Sequence, residues 1–284
     1  MGRRSGRRRE DTGLDVALNH RVAPTLGLEA FFELARRLGV RAVEIRNDLP
    51  GTALADGSKG TDVRPHAEGL RILSVNALQR FNEWTPARAE EARAMAGEAK
   101  SAGAEAIVLC PVNEEGFWPD DGARLAALRE ALAGLAPILA ESGLVGLVEP
   151  LGFAECSLRL KSEAVAAIDA VGQADRFRLV HDTFHHFVAE ERELFPERTG
   201  LVHISGVEDR DVSRETMRDP HRVLVGPADL IDNLGQLRAL EAGGYRGPVS
   251  FEPFADVVSN SADIAADLEA SIAFVTHGLR AEAA

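Results

Sequence analysis

Cysteine is nearly missing from this chain: Cys110 and Cys156 are the two present among 284 residues. That is too few for a disulfide framework and fits a reducing compartment, so a cytoplasmic setting is expected. Basic residues are also in deficit, with 32 Lys and Arg against 45 Asp and Glu, which leaves a formal charge of −13. Several of them fall in the first nine positions, so the rest of the chain is more acidic still. Such a surface repels phosphate backbones and excludes nucleic acid as a partner. No run approaches the roughly 18 apolar residues that a membrane helix requires. The opening MGRRSGRRRE has paired arginines but no hydrophobic stretch after them, against an export signal. It reads as a flexible basic tail over 1–12, ahead of one domain over 13–284. The phosphate-cradling patterns GxGxxG and GxxxxGK followed by Ser or Thr are both absent, so nucleotide binding has no support.

What the chain does have is hydrophobic residues in a repeating order. At 45% of the composition they suffice for a large core. Short apolar runs occur at 14–19, 42–46, 71–78, 106–110, 145–150, 177–182, 201–206 and 248–253. Each is rich in Val, Ile or Leu, as strands buried on both faces are. Between them, stretches such as 28–39, 87–103, 123–143 and 228–244 place apolar residues at helical spacing, and several end in Gly. Asn19 and Glu252, at the ends of the first and last runs, are 233 residues apart. Seven βα steps of about 33 residues fill that distance, the size of a βαβ unit. The expected fold is therefore α/β, a single-domain (β/α)8 TIM barrel. The segment 47–62 is too rich in Gly, Pro and Asp for a long helix and reads as a loop after the second strand, with at most one short helix behind it.

Four of these runs are interrupted by polar residues near their C-terminal ends: Glu149, Asp182, His203 and Glu252. In a barrel those ends converge on one face, so residues 33, 21 and 49 positions apart become neighbours. Three carboxylates brought together in a partly dry pocket repel one another unless protonated or neutralised. One divalent metal ion removes the conflict, and three oxygens with one imidazole nitrogen suit Mn2+, Mg2+, Co2+, Fe2+ or Zn2+ alike. Singly, a glutamate at a strand end reads as a solvated loop residue and a buried histidine as a satisfied core residue. Four of them on consecutive strands, all at one end, read as a metal site.

The segments VEP, HDTFH, VHISGVEDR, HRVLVGPAD and SFEPF, with EIR, SVNAL, RFN and CPV upstream, resemble the xylose-isomerase-like barrels. That group includes ketose 3-epimerases, hydroxypyruvate isomerases and inositol-catabolic enzymes, and the likeness is strongest to the inosose (2-keto-myo-inositol) isomerases. The resemblance covers nearly all of the chain after residue 14. It implies that the metal ligands are Glu149, Asp182, His203 and Glu252, that His185 of the D-x-x-H pair faces substrate, and that Arg222 is the arginine of the loop after strand seven. Two departures bear on which polyol fits. Asn19-His20 stands where that group tends to have Asn-Glu, and Ser205-Gly206 stands in a usually more acidic stretch.

Other residues carry two readings each. Arg222 binds substrate oxygens or pairs with Asp219. Glu44 and Arg46 share a face of strand two and either form an internal salt bridge or contact substrate. Asn76 ends strand three within reach of a hydroxyl. Trp118 is a pocket wall or a loop anchor. His181 and His186 read as spectators, and Cys156 as a small buried hydrophobe rather than a nucleophile.

The implied reaction shifts a carbonyl, or inverts a carbinol beside it, in a small keto-polyol. Proton transfer would run through an enediolate stabilised by the metal, with Glu149 and Glu252 as acid and base. No organic cofactor is called for, because the chemistry is internally redox-neutral. The rivals are an inosose dehydratase, a ketose 3-epimerase or hydroxypyruvate isomerase, and a non-catalytic sugar-binding barrel, which would have lost a catalytic glutamate. A metal-dependent apurinic endonuclease would need a basic surface and more histidines. The alanine-rich outer helices suggest a homodimer.

Overall fold

The apolar runs do become strands. The computed structural model describes residues 14–49, 54 and 59–281; the basic tail over 1–12 and the centre of the loop over 47–62 lie outside the described residues. Eight strands are present: β1 Asp15–Asn19, β2 Ala42–Arg46, β3 Arg71–Leu78, β4 Ala104–Leu109, β5 Val145–Val148, β6 Phe177–Asp182, β7 Thr199–Ile204 and β8 Pro248–Phe251. They pair in parallel in chain order, and β8 closes on β1. Around them lie α1 Leu28–Arg37, α2 Gly60–Val63, α3 Pro86–Ala102, α4 Asp121–Ser142, α5 Lys161–Ala170, α6 Thr183–Ala189, α7 Asn233–Ala242, α8 Asp256–Ser259 and α9 Ile264–Arg280. Among the described residues no helix is long and apolar enough to cross a membrane.

Helix starts follow capping chemistry. Thr85 and Asp120 accept from the backbone N–H groups of Arg88 and Ala123, opening α3 and α4. Gly103 and Gly143, in left-handed conformation at φ 81° and 72°, end the same two helices. The helix expected over 228–244 begins only at Asn233. Asp229 accepts from the backbone of Val207 and Asn233, and Asp232 takes a left-handed φ of 56° to cap Gly235. The residues before Asn233 are thus spent on a loop that periodicity alone does not reveal.

The core has two shells. Between strands and helices, Phe31, Phe32, Phe177, Phe251 and many Leu and Ala residues are fully buried. Removing one such Phe ring costs about 3–5 kcal/mol. Inside the barrel a smaller plug of Ala17, Ala42, Leu73, Ala106, Leu147, Val180 and Leu201 fills the axis. Side chains two residues apart on a strand share a face. The residues following this plug along the same inward face are Asn19, Glu44, Glu149, Asp182 and His203. The barrel axis therefore changes from apolar to polar within one layer, toward the C-terminal ends of the strands.

Candidate metal centre

The strand register sets this polar layer. Asp182 on β6 is directly opposite His203 on β7, and Asn19 on β1 is opposite Glu44 on β2. Glu149 and Glu252 fall one residue beyond β5 and β8, where their backbone N–H groups donate to the carbonyls of Leu109 and Ile204 and continue the ladder. The ligand atoms of Glu149, Asp182, His203 and Glu252 consequently lie within 4.8 Å of one another, on side chains that are all buried. Oxygen and nitrogen ligands sit about 2.0–2.2 Å from a zinc-sized ion, so two on opposite sides are at most about 4.4 Å apart. A contraction of a few tenths of an ångström would close the set around a cation, and the donor chemistry of the four residues fits one.

Each of these four side chains is oriented by a second group. Asp182 caps α6, accepting from the backbone N–H of His185 at 3.0 Å, while its other oxygen meets Arg222 at 2.6 Å. Glu252 accepts from Arg46 at 2.9 Å, Arg222 at 3.0 Å, Asn19 at 3.1 Å and Asn76 at 3.2 Å. Burial alone would raise its pKa, but His203, Arg222 and Arg46 hold it below the ordinary carboxylate value. Glu149 has lighter support: His203 Nδ1 at 2.8 Å from one oxygen and the Cys110 thiol donating at 3.4 Å to the other. For His203, desolvation works against charge, yet Glu252, Glu44 and Glu149 together keep its pKa well above the usual imidazole value.

The two-way readings resolve in different directions. Glu44 and Arg46 turn to different partners: Glu44 lies under His203, whose Nε2 is 3.1 Å from it, while Arg46 bridges Asp48 and Glu252. Arg222 does meet Asp219, at 3.2 Å, and also binds Asp182, Glu252 and the Ser205 hydroxyl. Its backbone is clamped between the loops after β7 and β8, because its carbonyl accepts from Phe254 and Ala255. Ser205, in the usually acidic stretch, thus serves to orient an arginine. His20 does not face the site: it donates to the Leu26 carbonyl at 2.9 Å and stacks on Phe31 of α1.

A cavity of about 380 Å³ opens above the cluster, lined by Glu149, Glu252, Arg46, Asn76, Arg222 and His185, with Phe153 and Phe254 among its walls. Glu44 and Trp118 are not among its lining residues. Trp118 instead lines a neighbouring cavity of about 360 Å³ between the loops after β4 and β5, edge-on to Phe117. His185 is held from behind, since the Gly152 N–H donates to its Nδ1 at 3.3 Å. A neutral ring then carries its proton on Nε2, available to a substrate oxygen. Only glycine fits at 152, where a Cβ would come 2.1 Å from the His185 carbonyl oxygen. Phe254, which the sequence reading passed over, faces the guanidinium groups of Arg21, Arg46 and Arg222 at 5.0, 5.5 and 4.4 Å. Its signal was present as the second aromatic of SFEPF.

His181 and His186 stay outside this cavity. Both accept from the buried Lys161 ammonium, at 2.9 and 3.0 Å, so α5 is tied to β6 and α6 through polar contacts. Burial lowers the Lys161 pKa to about 8 and, with Lys161 itself, the His186 pKa to about 3. Cys156 is buried, and burial pushes its thiol up to about 12, which keeps it inert.

The profile of the xylose isomerase-like TIM barrels matches residues 32–275. A xylose isomerase domain containing protein from Salmonella typhimurium LT2 has a crystal structure that is 35% identical. It superposes with a TM-score of 0.85 over 94% of this chain and 98% of its own. The IolI protein, solved with a bound zinc atom, is 19% identical at a TM-score of 0.81, covering 93% and 97% of the two chains. D-psicose 3-epimerase from Clostridium cellulolyticum H10 is 16% identical at a TM-score of 0.70, over 93% and 98%. No curated protein sequence matches the chain.

Proposed function

The chain belongs to the xylose isomerase-like TIM barrel family, and from that premise we propose that it is a divalent-metal-dependent isomerase of a small keto-polyol. The observation that carries this reading is the meeting of two carboxylates, Glu149 and Glu252, with the buried Asp182 and His203 beneath a polar-lined cavity. A metal ion held by these four residues would supply Lewis acidity to adjacent carbonyl and hydroxyl oxygens. The neighbouring structures support both halves: IolI carries zinc, and D-psicose 3-epimerase is a ketose-directed relative in fold.

The protein's own groups account for the rest. Glu149 and Glu252 reach the cavity from strands three apart, so one can carry a proton from a substrate carbon to its neighbour while the other carries the hydroxyl proton to the former carbonyl oxygen, which leaves both carboxylates as they began. Arg46, Arg222 and Asn76 fix the Glu252 carboxylate in place. His185 Nε2–H donates to a substrate oxygen, while Phe153 and Phe254 cover the C–H faces of the molecule. The four side chains are at most 4% exposed, so their charges act on the substrate with little screening by bulk water. The resemblance of the sequence favours 2-keto-myo-inositol as substrate, converted to a neighbouring keto-inositol.

NMR in D2O tests this reading directly, with enzyme, Mn2+ and a panel of ketones. The expected result is deuterium at the carbon beside the carbonyl of 2-keto-myo-inositol, with a product of unchanged formula. Loss of water would assign a dehydratase instead. Exchange at C3 of fructose or tagatose, with the inosose inert, would assign a ketose 3-epimerase. No exchange with any member of the panel would overturn the isomerase reading.

A further inference from the structure

An imidazole coordinates metal through one nitrogen and keeps a proton on the other, so the partner of the distal nitrogen decides which lone pair is offered. In His203 the two nitrogens face opposite ways. Nδ1 looks into the cluster, 2.8 Å from Glu149 Oε1 and 3.3 Å from Glu252 Oε2. Nε2 looks to Glu44, 3.1 Å from Oε1 and 3.2 Å from Oε2. Glu44 has no exposed surface and does not line the cavity. It is itself fixed, because the Ser74 hydroxyl donates to Oε2 at 2.6 Å and the Asn19 amide to Oε1 at 3.3 Å. A buried carboxylate is costly unless it is paired and hydrogen-bonded, and the group it meets here is the ring of a candidate ligand.

We propose that Glu44 is a positioning residue for the metal: by accepting the Nε2–H of His203 it fixes the ring so that Nδ1 is the coordinating nitrogen. Ser74 and Asn19 complete the support from β3 and β1, so three strands that carry none of the four ligands still define the site. The assignment rests on the metal reading above and adds to it which nitrogen binds and which side chain decides that. Glu44 lies beneath the histidine, away from the residues that line the cavity.

Mn2+ binding to metal-stripped protein, followed by titration calorimetry, tests the assignment without turnover. Glu44→Gln keeps the shape and removes the charge, and weakens Mn2+ affinity by about 10–100-fold, the range for such outer partners of ligating histidines. A purely structural role would lower the melting temperature of the metal-free variant and leave its affinity unchanged. Equal affinity in wild type and Glu44→Gln would overturn the assignment alone. Failure of the wild-type protein to bind Mn2+ would instead overturn the metal reading beneath it. A measurement on unmutated protein guards against a variant that does not fold: long-range 1H–15N correlation on Zn2+-loaded, 15N-histidine-labelled chain. There His203 should show a protonated Nε2 and a metal-bound Nδ1, and the reverse pattern would contradict the proposal.

Discussion

At the scale of single residues, Arg222 shows most plainly how charge holds the site together. It is 1% exposed, yet its guanidinium contacts Asp182, Glu252, Asp219 and the Ser205 hydroxyl. Desolvation opposes its charge, but Asp182, Glu252 and Asp219 more than compensate and raise its pKa. Truncating one partner of a buried ionic network strands the others, at about 3–5 kcal/mol. Arg222→Met should therefore lose stability of that order in denaturant unfolding of the metal-free protein. A change below about 1 kcal/mol would show that the pairs add nothing net. The role was only half legible in the sequence. The spacing of Asp219 and Arg222 suggested their pairing, but the loop after β7 is what carries Arg222 back over Asp182 and Glu252. No local pattern announces that return.

At the scale of elements, the strands were the most legible part, since Val, Ile and Leu runs of four to eight residues have few other uses in a chain this periodic. The inward placement of Glu149, Asp182 and His203 was legible for a related reason: Leu147, Val180 and Leu201 fill the barrel axis two residues before them and point each to the same side. The contacts between outer elements were not legible. His181 and His186 looked idle in sequence but hold α5 against β6 and α6 through Lys161. They have a consequence for acid stability. The His186 pKa is lowered to about 3 by burial and by Lys161, and that of His20 to about 4, chiefly by burial. An unfolded imidazole titrates near pH 6.5, so as the pH falls below that value the unfolded state takes up protons that the folded state refuses. Stability therefore drops between about pH 6.5 and 4, by up to about 1.4 kcal/mol per pH unit for each histidine. His186→Asn retains an acceptor for Lys161 without the titration, and its unfolding free energy should fall less steeply with acid than that of wild type. Parallel curves would remove His186 as a cause.

At the scale of the whole molecule, one barrel end concentrates the chemistry. The apolar plug seals the N-terminal side of the axis, the polar layer follows it, and the cavity above is lined by loops after β2, β3, β4, β5, β7 and β8. The acidic balance of the chain has a local counterpart here: Glu44, Glu149, Asp182 and Glu252 meet within one buried layer, countered by His203, Arg46 and Arg222. Family membership fits this layout and leaves the occupant of the site as the central claim. Anomalous diffraction from crystals soaked in Mn2+ tests it most directly. A single strong peak per chain among Glu149, Asp182, His203 Nδ1 and Glu252, with ligand distances near 2.0–2.3 Å, is the predicted result. A map with no peak there, or with the ion held by other residues while these four keep their mutual contacts, would contradict it.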